Sequence, residues 1–223
     1  MTALDWNMIL KDWHFVRLPM LGYAVLGAIS AILIGFTSGL SLYIGVILMI
    51  STIVIIGIHF VFGTVINERS KQTLPFMLSL PVTFVQYSRN KVLSNVLGFA
   101  LGWAALTAAT VAAIYSTDEI ANGMIPFAVI TLGELAVTFV LVFAVAMVLE
   151  SEAWTIVVMT TCNIGISIFM HAVGSIPDMN MHMAGPEPVW NSTAISLLLA
   201  EAGIIIALIA GTLFLQSRKT DYL

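Results

Sequence analysis

Charge is the scarcest thing in this sequence. Of its 223 residues only 9% are Asp, Glu, Lys or Arg, eight of them basic and twelve acidic. Soluble domains carry roughly 25%, and a net charge of −4 leaves no basic patch for nucleic acid. Cysteine is scarcer still. The single Cys162 excludes a disulfide framework and a cysteine-based metal site; it reads as a small apolar packing residue. There is no G-x-x-x-x-G-K-[ST] run, so the chain lacks the loop that cradles ATP phosphates. His14, His59, His171 and His182 are scattered, and no H-E-x-x-H pair supports a membrane-embedded metalloprotease. Alternating ten-residue strands are missing, which argues against a membrane β-barrel. No secretory signal is expected, because Asp5, Asp12 and two tryptophans precede the first apolar run.

Apolar length is what remains. The chain is 60% hydrophobic with a mean hydropathy of +1.03. At 1.5 Å rise per residue, about 20 apolar residues cross the roughly 30 Å hydrocarbon core. Six such runs occur, at 18–36, 42–64, 92–115, 125–149, 153–173 and 193–215. The expectation is an all-α integral membrane protein, one transmembrane domain over 1–223. Lys11 and Arg17 precede the first span; Arg69, Lys71, Arg89 and Lys91 lie between the second and third; Arg218 and Lys219 follow the sixth. The positive-inside rule then puts both termini and the 65–91 loop in the cytoplasm.

Residues 1–17 carry Trp6, Ile9, Leu10 and Trp13 at three- and four-residue spacing, one helical face. This predicts an interfacial amphipathic helix on the inner leaflet, with Pro19 turning the chain into the first span. Gly22, Gly27, Gly35, Gly98 and Gly102 could permit close helix contacts, or be glycines that membrane helices simply tolerate.

The stretch "VINERSKQTLPFMLSLPVTFVQYSRNKVL", Val65 to Leu93, holds four of the eight basic residues and two prolines, Pro75 and Pro81. Leu74, Met77, Leu78 and Leu80 give an apolar face too short to cross a membrane. Either it docks into a groove on another protein, or it packs against its own bundle. The segment resembles the loop after the second span of small ABC-2 type transporter permeases: Glu68, Arg69 and Lys71, then Thr73, Leu74, Leu78, Ser79, Leu80 and Pro81, then Lys91 opening the third helix. The six-span plan with a longer outer connection, 174–192, is similar over nearly the whole chain. Within the family it most resembles short permeases of peptide and toxin exporters, such as those that export phenol-soluble modulins.

The resemblance implies an ABC-2 type exporter fold and a transport subunit rather than an enzyme. Glu68, Arg69, Lys71, Thr73, Leu74, Met77, Leu78, Leu80 and Pro81 would form a coupling helix seated in a separate cytoplasmic ATPase. Two permease copies, identical or closely paralogous, would work with two ATPase copies in a bacterial cell membrane. ATP and Mg would sit on the ATPase, with no cofactor on this chain, and the substrates would be amphipathic or hydrophobic peptides.

Carboxylates inside a bilayer are costly and therefore invite a functional reading. Glu134 and Glu201 lie eight or nine residues from the outer end of their spans, about 12–14 Å deep, and Asn163 lies near the middle of the fifth. These three are candidates for the substrate path, or else for interhelical hydrogen bonds; His59, toward the inner end of the second span, is a weaker candidate. An ion-coupled secondary transporter using Glu134 and Glu201 is the alternative function. Met179, Met181, His182 and Met183 offer soft ligands for Cu(I), although a small outer lid suits that connection better.

Overall fold

The computed structural model describes residues 3–36, 39–70 and 83–218. Among them no strand forms, and the elements in order are α1 (Ala3–Phe36), α2 (Leu40–Phe60), a π-turn (Val61–Ile66), α3 (Asn67–Ser70), α4 (Phe84–Tyr115), a 3-10 turn (Asn122–Met124), α5 (Ile125–Leu149), α6 (Glu152–Gly174), α7 (Pro177–Met183) and α8 (Ser192–Ser217). Among the described residues six helices are long and apolar enough to cross a membrane: Val16–Phe36, Leu40–Ile66, Val85–Tyr115, Asn122–Leu149, Glu152–Gly174 and Ser192–Ser217. They coincide with the six apolar runs. This is a multi-pass membrane protein.

Two boundaries differ from expectation. Pro19 does not turn the chain, because α1 continues unbroken from Ala3 to Phe36 with Pro19 inside it. An internal proline removes one backbone hydrogen bond and costs about 3 kcal/mol. Asp12 and Val16, both buried just before it, tie the leading segment to the bundle. Trp6, Leu10 and Trp13 are exposed, but the segment that carries them runs on into the first span as one helix rather than turning at Pro19 as an interfacial helix would. The third span also starts early, at Phe84. Thr83 and Gln86 form a capping box there: Thr83 Oγ1 accepts from the Gln86 amide at 3.3 Å, and Gln86 Oε1 accepts from the Thr83 amide at 3.0 Å. This satisfies two amide donors that would otherwise lack partners at the helix start, and it shortens the expected 65–91 loop.

α5 is the central post, packed against α2, α4, α6 and α8, while α1 packs on α2 and α4. Lipid tails are as apolar as leucine, so close van der Waals fit rather than exclusion from water holds such helices together. Four of the five expected glycines serve that fit. A Cβ at Gly27 would overlap Leu106, one at Gly98 would come within 2.5 Å of the Phe60 ring, and those at Gly35 and Gly102 would press on Ala113 and Met20; Gly22 faces nothing. The stacked rings of Phe99 and Phe139, with centroids 3.9 Å apart, fill the centre between α4 and α5. α5 ends on Glu150 in the left-handed region (φ 58°), and Ser151 caps α6 by accepting from the Trp154 amide. That tight connection forces α5 and α6 to run antiparallel as neighbours.

Candidate functional site

A charged cluster lies where α1, α3 and α4 meet. Tyr87, Lys91 and Asn95 follow one another at four-residue spacing and so share a face of α4; all three are buried. The Lys91 Nζ, with the residue only 3% exposed, donates to Asp12 Oδ1 at 3.2 Å and Oδ2 at 3.1 Å. It also reaches Glu68 Oε2 at 2.9 Å. The Tyr87 hydroxyl donates to the same Glu68 oxygen at 2.9 Å, and Lys11 Nζ donates to Glu68 Oε1 at 2.5 Å. Two ammoniums, those of Lys91 and Lys11, thus meet two carboxylates, those of Asp12 and Glu68. Burial opposes ionisation of Glu68, but the Lys91 and Lys11 ammoniums outweigh it and hold the carboxyl below its usual range.

The polar chain continues inward. Asn95 Nδ2 donates to the Lys91 carbonyl at 2.9 Å, and Thr64 Oγ1 lies 2.7 Å from both Asn95 Oδ1 and Phe60 O. Thr64 belongs to the π-turn that ends the second span. Such turns shift the helix register locally and recur at functional sites. Here the turn carries the chain from the apolar part of α2 to Glu68.

Of the expected coupling residues, only Glu68 has a described side chain. Arg69 lies in α3 with its side chain outside the description. Lys71, Thr73, Leu74, Met77, Leu78, Leu80 and Pro81 lie outside the described residues.

The intramembrane acids stand apart from this cluster. Glu201 on α8 is 7% exposed, and among the described residues its Oε1 has no hydrogen-bond partner and no basic side chain pairs with the carboxylate. Its other oxygen rests on Gly133 of α5, where any Cβ would overlap it. Glu201 lines a cavity of about 230 Å³ between α4, α5 and α8, whose walls include Phe99, Trp103 and Phe139. The Trp103 indole N–H is occupied, donating to the Leu132 carbonyl at 2.6 Å. Glu134 is partly buried one residue beyond Gly133, within electrostatic reach of Glu201 and Cys162.

Asn163 does not join them. It lines a separate gap of about 30 Å³ among α2, α4, α5 and α6, and its amide donates to the Met159 carbonyl at 2.9 Å. Phe99 and Phe139 border both spaces, so their stack stands between Asn163 and Glu201. His59 packs edge-on against the Tyr23 ring, centroids 5.9 Å apart.

The soft-ligand segment falls in α7. Met179 is buried with Ile130, Val173 and Ala194, whereas Met181 is 68% exposed. Their opposite surroundings do not make one copper site. α7 is held across its end of the bundle instead: Asn191 Nδ2 donates to the Asp178 carbonyl at 2.7 Å, Thr193 donates to the Asp178 carboxylate at 3.0 Å, and the Gly123 amide donates to the Gly185 carbonyl at 3.0 Å. No group of three His, Cys, Asp or Glu suited to a metal occurs among the described residues.

Sequence reasoning placed Glu68 and Lys91 in one motif but did not foresee Asp12 as a partner, 79 residues from Lys91. It also missed Gly133 and Trp103. The available signal was the four-residue spacing of Tyr87, Lys91 and Asn95 within the polar start of a helix that is apolar further on. No family model, curated protein or solved structure matches this chain.

Proposed function

We propose that this chain is the membrane-spanning permease subunit of an ATP-driven exporter of the ABC-2 type, dimeric, and coupled to two copies of a separate ATPase. The observation that carries the reading is the ion pair of Glu68 with Lys91, at 2.9 Å. These two residues stand near the two ends of the 65–91 loop that resembles a coupling segment. A segment pushed by an ATPase transmits force only if its base is stiff. With its two ends closed on each other and on Asp12, a displacement of the segment moves α2, α4 and α1 together instead of bending a loose loop. In this reading the cluster faces the cytoplasm of a bacterial cell, and the exported substrates are amphipathic peptides.

The test is recovery of the tagged chain from its native host in detergent, with partner identification and an ATPase assay. A stoichiometric nucleotide-binding protein is expected, and replacing Leu74, Met77 and Leu78 with Asp should abolish its recovery while membrane insertion persists. Undiminished recovery with that variant, or a clean oligomer without ATPase, refutes the reading.

A second reading, an ion-coupled secondary transporter, is favoured by one observation: the two acids Glu134 and Glu201 lie within electrostatic reach of each other inside the membrane. It predicts transport by the chain alone in proteoliposomes under an ion gradient, lost in Glu201→Gln.

A further inference from the structure

A buried carboxylate in apolar surroundings is stable only when protonated or accompanied by a cation. The missing side chain at Gly133 leaves room for the Glu201 carboxylate; the residue lines a cavity, and its buried Oε1 has no hydrogen-bond partner among the described residues. The walls are otherwise apolar, with three aromatic residues, Phe99, Trp103 and Phe139, contributed by α4 and α5. A cavity of about 230 Å³ lies just below the roughly 300–1,000 Å³ of drug-sized sites, so it suits a small ligand.

From this geometry we infer that the cavity is a binding site for a small hydrophobic organic cation, with the Glu201 carboxylate as counter-ion and the aromatic residues as its walls. Aromatic faces attract a desolvated organic ammonium, and an alkylated ammonium is cheaper to bring out of water than a hydrated metal ion. An apolar hole would hold lipid or nothing; an acid in its wall makes positive charge the selective feature. The proposal concerns binding by this chain and stands whether or not an ATPase drives transport.

The probe is benzyltrimethylammonium, a permanent cation with one aromatic ring, titrated by calorimetry into the full chain purified in a neutral detergent. Saturable binding to the parent is expected. Glu201→Gln keeps the shape and removes the charge, and should weaken binding by at least about tenfold. Gly133→Ala should do the same by a different route. Its Cβ would overlap Glu201 Oε2, the movable end of a side chain, so the carboxylate is displaced while α5 stays in place. Absence of saturable binding to the parent overturns the proposal, as does equal affinity in the parent and Glu201→Gln, which would mark the space as a gap filled by detergent or lipid. A chain that binds the probe yet recovers no ATPase keeps this inference and sinks the exporter reading.

Discussion

Lys91→Met tests the charged cluster most directly. In the parent, the Lys91 ammonium serves two carboxylates, Asp12 at 3.1 Å and Glu68 at 2.9 Å. Removing it leaves Lys11, a third of whose side chain is exposed, as the described cation beside both; it already contacts Glu68 at 2.5 Å and stands 3.7 Å from Asp12. Asp12, itself 4% exposed, then has as its described cation the longer 3.7 Å contact to Lys11, which Lys11 shares with Glu68. Breaking a buried pair from one side costs about 3–5 kcal/mol, mostly the desolvation of the charge left behind. Methionine fills the volume of the lysine stem, so packing loss adds little. The double variant Asp12→Asn, Lys91→Met removes one charge of each sign, leaves Lys11 on Glu68, and should return to within about 1–2 kcal/mol of the parent. The assay is unfolding in mixed micelles by SDS titration, read by tryptophan fluorescence, with hydrogen exchange on α1 to locate the loss. If Lys91→Met lies within about 0.5 kcal/mol of the parent, or the double variant is worse than the single, the cluster does not hold α1, α3 and α4 together.

Two further expectations use the same assay. Because the Glu68 carboxyl is held below its usual range by Lys91 and Lys11 against the opposing effect of burial, its contribution is complete above the ordinary glutamate value near 4.5. It fades as pH falls below that value through the depressed one, and Glu68→Gln should flatten this acid limb without changing the profile above about pH 6. Gly98→Val would press a branched side chain into Phe60, a fully buried ring that cannot move aside. A loss of about 1–3 kcal/mol is expected, and unchanged stability would mean that α2 and α4 do not cross as tightly as described.

The six spans were legible because a membrane helix must satisfy its own backbone and bury its length in hydrocarbon, so each announces itself by run length alone. The outward apolar stripe of Trp6, Leu10 and Trp13 was legible for a related reason, since helical spacing is local. Pro19 misled because a proline reads as a break. Yet the residues flanking it, Asp12 and Val16, are anchored by contacts that no local pattern reveals.

Chain chemistry alone therefore determined that this is a helical membrane protein with six crossings, a polar island between the second and third, and acids within the fourth and sixth. Which polar groups meet was decided only by the tertiary arrangement. Spacing along a helix assigns a face, but not the neighbour that face meets. Glu68, Lys91 and Asp12 are brought together from three separate helices. Glu134 read as the equal of Glu201, and Asn163 as a further candidate, but the packing of α8 on Gly133 sets Glu201 into the aromatic cavity, and the Phe99–Phe139 stack stands between it and Asn163. Helices in lipid are positioned by side-chain fit rather than by exclusion from water, and that fit is a property of pairs of surfaces.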